Sequence, residues 1–351
     1  MTIEDMLSLC IKNGASDLHL IVGSFPCLRV NGDLVPIEGE PLLVAERSQE
    51  LIFGLLTQEL KDQLLVNKEV DFSYQFKDFG RFRVNAYAHK GTLAAALRLI
   101  PNKIKTIEEL RLPTIMHQFA TLRQGFILVT GPTGQGKSST LAAIIDEINN
   151  SRADHILTIE DPIEFIYTPK KSIISQRELH ADTHSWEVAL KSALREDPDV
   201  VLVGEMRDYE TISAALTVAE TGHLVFATLH TNSASQTIDR IIDVFPEHQQ
   251  AQVRMQLANT LQAVVSQRLM KTLQDDRVAA VEILLASGAV RNIIREGKTF
   301  QLDNVISTSS DTGMIPLEAS LAKLVNQGLV SYQKAEEVAI WPDQLARLVK
   351  R

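Results

Sequence analysis

GPTGQGKS (131–138), entered from the apolar run FILVT (126–130), decides the fold of this chain. The octet fits G-x-x-x-x-G-K-[ST], a pattern with a physical mechanism. Gly131, Gly134 and Gly136 let backbone N–H groups close around phosphate oxygens, the Lys137 ammonium neutralises the β- and γ-phosphates, and the Ser138 hydroxyl ligates Mg²⁺. Pro132, Thr133 and Gln135 complete the loop, and Ser139 follows at the start of a helix whose first amides face the same anion. A buried strand, a glycine-rich turn and a helix in this order are the context a phosphate-binding loop requires.

Downstream the same rhythm continues. Short β-branched runs, HILTIE (155–160), VVLVGE (200–205), LVFATLH (224–230) and VAAVEIL (278–284), alternate with helical stretches, the signature of a mostly parallel sheet covered on both faces. The helix after the second of these runs starts at Asp208 as N-cap and stops at Gly222, where a residue without Cβ takes the left-handed conformation. From Glu247 onward the sequence reads as largely helical apart from 278–284.

Upstream the pattern differs. Residues 1–100 read as α+β: a helix (3–12), a strand (17–22), a hairpin turning at Asn31-Gly32, helices (45–56 and 58–66) and three strands (70–76, 81–88, 92–100). In the middle one Phe82, Val84, Ala86 and Ala88 alternate with Arg81, Arg83, Asn85 and Tyr87, which gives one apolar face and one that carries two cations. PNKIKTIEELRLP (101–113) is polar and bracketed by prolines, so it reads as a linker, with the second domain spanning 114–351.

The chain's 351 residues, 45% hydrophobic and 23% charged, suffice for two cores. A formal charge of −9 argues against nucleic acid as partner, because such proteins gain affinity from basic surface that displaces counterions. Cys10 and Cys27 form no CxxC and support neither a disulfide framework nor a four-cysteine zinc site, which fits a reducing cytoplasm. Residues 1–12 lack the basic and apolar regions of a secretory signal, and no apolar run reaches bilayer length, so any membrane association is expected to be peripheral.

Three more groups carry candidate chemistry. Glu205 closes a buried run at the carboxyl edge of the sheet, where ligands of open α/β sheets bind, and is placed to support Mg²⁺ directly or through water. TIEDPIE (158–164) brings three carboxylates, Glu160, Asp161 and Glu164, to the end of another run, and one of them can hold the water that attacks the γ-phosphate. Spacing does not choose among them. His230 ends a fourth run and is expected to face the nucleotide; His223 lies at that run's start.

In the order GPTGQGKSSTLA, ILTIEDPIEF, ALREDPDVVLVGEMRD and ETGHLVFATLHTNSA, these motifs resemble the secretion-ATPase superfamily of P-loop NTPases, and within it the type IV pilus retraction ATPases of twitching motility. TIDRIIDVFP continues the match, and AVRNIIRE (289–296) is similar to the AIRNLIRE motif of retraction ATPases. The resemblance implies an N-terminal α+β, PAS-like domain (1–100), the linker (101–113), and a RecA-like ATPase domain with a helical C-terminal region (114–351). It places the catalytic carboxylate of the acidic box on Glu164, the Walker B glutamate on Glu205 and the histidine-box positions on His223 and His230.

The same resemblance implies a homo-hexamer that hydrolyses ATP with Mg²⁺ and in which an arginine of a neighbouring subunit reaches the nucleotide; Arg81, Arg83 and Arg98 are the candidates. It implies a cytoplasmic motor, peripheral at the inner face of the cytoplasmic membrane, that drives pilin disassembly through an inner-membrane platform protein, with a second retraction ATPase as a further partner. An ATP-binding regulator of another such motor, with little hydrolysis of its own, is the alternative. Gln135 stands where these loops usually carry a small serine, at a position expected to contribute mainly backbone.

Overall fold

The computed structural model describes every residue except Asn31, Asp78, Pro101, Asn102, Asp275, Lys350 and Arg351. One residue of the expected 31–32 turn and the first two of the 101–113 segment therefore lie outside the described residues. The chain divides into two compact units, Met1–Lys103 with Pro162–Ile166, and Ile104–Asp161 with Tyr167–Arg351.

In the first unit the elements run α1 (Ile3–Lys12), β1 (Asp17–Leu20), β2 (Cys27–Val30), β3 (Asp33–Pro36), α2 (Ala45–Phe53), α3 (Gln58–Asn67), β4 (Glu69–Phe76), β5 (Gly80–His89) and β6 (Thr92–Ile100). The sheet order is β3-β2-β1-β6-β5-β4, antiparallel throughout. Helix α1 begins with a full capping box, in which Thr2 Oγ1 accepts from Asp5 N–H and the Asp5 carboxylate accepts from Thr2 N–H, so the first turn leaves few amides unpaired. Phe82, Val84 and Ala86 of β5 point into the core with Met6, Leu7, Leu18 and Leu97, each fully buried Phe or Leu contributing about 1.5–3 kcal/mol. Ala88 departs from the expected alternation and is exposed.

The opposite face of this sheet is charged. Registers Asp17↔Arg29, Asp17↔Arg98 and Arg83↔Arg98 align three arginines and a carboxylate in one row across β2, β1, β6 and β5. Like charges directly opposite repel, and Asp17 relieves the row by accepting from Arg98 at 2.9 Å while Asp71 binds Arg83 at 2.5 Å.

In the second unit the order is α4 (Met116–Thr121), β7 (Gly125–Thr130), α5 (Lys137–Ser151), β8 (His155–Glu160), β9 (Ile173–Glu178), α6 (Trp186–Ala193), β10 (Val200–Val203), α7 (Tyr209–Glu220), β11 (Leu224–Leu229), α8 (Ala234–Asp243), α9 (Glu247–Thr260), β12 (Leu261–Lys271), β13 (Arg277–Leu285), α10 (Gly288–Glu296), α11 (Leu302–Thr308), α12 (Leu317–Asn326), α13 (Tyr332–Val338) and α14 (Pro342–Leu348). Seven strands form one sheet, β13-β12-β7-β11-β10-β8-β9, parallel except for β13. β7, β10 and β11 are buried at every position, as strands covered on both faces must be. Helix α7 has Asp208 as its N-cap and Gly222 just past its end at φ 98°, in agreement with the sequence.

Two strands depart from the sequence reading. Helix α9 starts at Glu247 as expected, but from Leu261 the 11-residue strand β12 takes the place of further helix, since α9 passes into it at Thr260 without a glycine or proline to mark the change. β9 is a half-exposed edge strand with no apolar run to announce it. Among the described residues no helix is long and apolar enough to cross a membrane.

Candidate functional site

The carboxyl ends of the parallel strands gather on one edge of the second unit, and β7 delivers the glycine-rich loop there, between β11 and β12. Helix α5 starts at Lys137 with Gly136 as N-cap in the left-handed region and no side chain bonded to its first amides. Its N-terminus thus presents N–H donors and the positive end of the helix dipole. Lys137 is 8% exposed, and its ammonium donates to Gly131 O at 2.8 Å and Pro132 O at 3.1 Å, which fixes it against the loop. Gly131 has φ 145°, and a Cβ there would stand 2.5 Å from Gln267 O, so only glycine fits.

Glu205 follows β10 on the same edge. Gly204 precedes it, and a Cβ at Gly204 would meet Glu160 Cα and Ile159 O at 3.2 Å, so the close approach of the β10 and β8 ends depends on glycine. The Glu205 carboxylate accepts from Arg207 Nε and Nη2, both at 2.7 Å, and faces His230 Nε2 at 3.1 Å. Burial opposes its ionisation, but the Arg207 hydrogen bonds, with the charges of His230, Arg207 and Lys137, outweigh burial and hold the carboxyl below its usual range. His230 Nδ1 lies 3.4 Å from Thr133 Oγ1, so the imidazole stands between the loop and the carboxylate.

The remaining expected residues are distributed more widely. Glu160 ends β8 on this edge, buried, and accepts from Thr158 Oγ1 at 2.8 Å. Glu164 falls in Pro162–Ile166, with the first unit, as do Arg81, Arg83 and Arg98. His223 stands at the start of its run, as the sequence places it. It precedes β11 beside Gly125, the strand end remote from the loop, and its ring is engaged with Thr221 Oγ1 at 2.9 Å and Val218 O at 3.0 Å, where it finishes α7. Six residues of parallel strand, roughly 20 Å, separate it from its own unit's loop.

Several neighbours escaped the sequence reading. Gln135 does more than lend backbone: its Oε1 accepts from Leu269 N–H at 2.5 Å. Gln267 of β12 donates to Gln135 O and accepts from Thr140 Oγ1, each at 2.9 Å. Arg207 is visible in GEMRD, but its spacing two residues after Glu205 did not reveal the paired hydrogen bonds. In the 289–296 segment, Arg291 donates to Asn259 O at 3.0 Å and to Ala258 O, so its cation sits on the last carbonyls of α9 where that helix passes into β12.

Among the described residues no group of three His, Cys, Asp or Glu could hold a metal ion. The residues on this edge suit a cation that arrives with phosphate oxygens: Ser138, in the first turn of α5, has a hydroxyl and Glu205 one carboxylate to offer it. Mg²⁺ is commonly held in this way, by one or two protein oxygens plus phosphate and water.

A family model described as type II/IV secretion system protein matches residues 1–310. The chain is 48% identical to the type IV pilus retraction ATPase PilT of Pseudomonas aeruginosa over 98% of this chain and 99% of that protein. It is 50% identical to a twitching motility protein of Neisseria gonorrhoeae over 90% of this chain and 84% of that one. Among solved structures, the pilus retraction motor PilT with bound ADP superposes with a TM-score of 0.92 at 44% identity, covering 99% of both chains.

Proposed function

The chain belongs to the type II/IV secretion system protein family, and from that premise we propose that it is the ATP-hydrolysing motor of type IV pilus retraction. The observation that carries this reading is the 48% identity, over nearly the whole length of both chains, to a pilus retraction ATPase. The loop, Glu205 and His230 on one sheet edge give such a motor its chemistry.

Within this reading ATP binds with its phosphates over Gly131 to Ser139 and its β- and γ-oxygens against Lys137. Ser138 and, through water, Glu205 would hold Mg²⁺, which would supply charge neutralisation for phosphoryl transfer. Glu164 orients the attacking water, and His230 donates to a γ-phosphate oxygen, so its contacts change when that phosphate leaves. Arg81, Arg83 and Arg98, on the charged face of the first unit's sheet, are offered to the nucleotide of a neighbouring subunit in a homo-hexamer, where a cation stabilises the charge of phosphoryl transfer. Cycles of hydrolysis then drive pilin removal through a platform protein in the inner membrane, with the ring at its cytoplasmic face.

The test is genetic and biochemical together. A strain that lacks this protein should keep its pili and lose twitching; wild-type protein should restore movement and Glu205→Ala should not. Restoration by the Glu205→Ala protein would sink the motor reading in favour of a regulatory one.

A further inference from the structure

β12 touches the phosphate loop through side chains that no sequence motif announced. It pairs with β7 as far as Ser266↔Thr130, and there β7 gives way to the loop. Beyond that point the ladder continues by other means: Gln135 Oε1 accepts the Leu269 N–H. Gln267, 2% exposed, uses both ends of its amide, with Nε2 donating to Gln135 O and Oε1 accepting from Thr140 Oγ1 in α5, while its own carbonyl abuts Gly131. The side chain thus joins the loop's penultimate residue to the first turn of the helix behind it, and the backbone of the same residue lies against the start of the loop.

A loop with three glycines at positive φ has many conformations open to it, and only a few direct its N–H groups at one anion. A ligand that must first order the loop binds more weakly than one that meets it ordered. We infer that Gln267 is a positioning residue for nucleotide binding: it holds the phosphate loop in its binding shape from the neighbouring strand, with Gln135 as its counterpart on the loop. The inference rests on the loop's being the nucleotide site. Because Gln267 acts on the loop and not on the reacting atoms, its loss is read in affinity more than in turnover.

The experiment compares wild-type full-length protein with Gln267→Ala, Gln267→Glu and Gln135→Ser, measuring ADP affinity, the KM and kcat of ATP hydrolysis, and melting temperature. Gln267→Ala should raise KM and the ADP Kd about tenfold or more with kcat within about twofold. Gln267→Glu keeps the acceptor for Thr140 but sets an oxygen against Gln135 O, and should be at least as impaired. Gln135→Ser removes only the Leu269 contact and should raise both constants about threefold. If Gln267→Ala does not fold, Thr140→Val and Gln135→Ser carry the test, with a rise in KM at unchanged melting temperature. Unchanged ADP affinity and KM in the folded variants, or a fall in kcat with KM intact, would overturn the inference. Wild-type protein that binds no ADP would instead count against the nucleotide site itself.

Discussion

His230 Nε2 lies 3.1 Å from Glu205 Oε1, and the other nitrogen of the same ring lies 3.4 Å from Thr133 Oγ1. A histidine that ends one strand thereby connects the loop after a second strand with the carboxylate after a third. If this bridge serves the chemical step, His230→Ala should lower kcat on the order of tenfold or more, with a smaller change in KM. Steady-state kinetics decide it: a variant with normal kcat and raised KM would assign His230 to binding alone.

Arg207 binds both oxygens of Glu205 and is the strongest influence that lowers its pKa. The sign follows from the direction of the shift. A depressed carboxyl stays ionised to lower pH, so its favourable pairing persists above the ordinary carboxylate value and is lost as pH falls through the depressed one. In Arg207→Ala the strongest contact that lowers it is lost, the Glu205 pKa rises, and the acid limb of the kcat/KM profile should move to higher pH. An acid limb at the wild-type position would show that Glu205 does not control it.

Gly131 is held at φ 145° with Gln267 O where its Cβ would be. Gly131→Ala combines backbone strain of about 1–3 kcal/mol with a clash against a backbone oxygen that cannot swing aside. ADP binding by calorimetry should weaken at least about tenfold, while Gly134→Ala, with open space around it, should lose less.

Glu282 is a buried carboxyl on β13. Burial first, then Asp303 and Glu318, push its pKa up to about 7 against the Ala234 N–H and Arg268, which lower it. Between the usual carboxylate range and pH 7 the unfolded chain ionises this group while the folded chain keeps it protonated, so stability falls as pH rises through that window. Glu282→Gln, whose carbonyl can still accept the Ala234 N–H, should raise stability at pH 8 by on the order of 2 kcal/mol and change little at pH 4. Chemical denaturation at the two pH values checks this.

Much of this architecture was legible because the local signals agreed with one another. FILVT, HILTIE, VVLV and LVFATL became buried parallel strands, since continuous β-branched runs of that length suit little else, and Asp208 and Gly222 bounded α7 because their chemistry is specific to helix ends. β12 was not legible: Gln262, Gln267 and Arg268 interrupt its apolar pattern, and their reason for being there is tertiary. The pairing of Gln267 with Gln135 spans 132 positions and leaves no local trace. His223 was legible in position, at the start of its run, but its bonds to Thr221 and Val218 were not.

The central claim is that this sheet edge hydrolyses ATP. The most direct measurement is steady-state ATP hydrolysis by the purified protein beside Glu205→Ala, with oligomer mass determined in parallel. A wild-type hexamer that turns ATP over, with activity lost in the variant, is the predicted result. Nucleotide binding without turnover in either protein would contradict it.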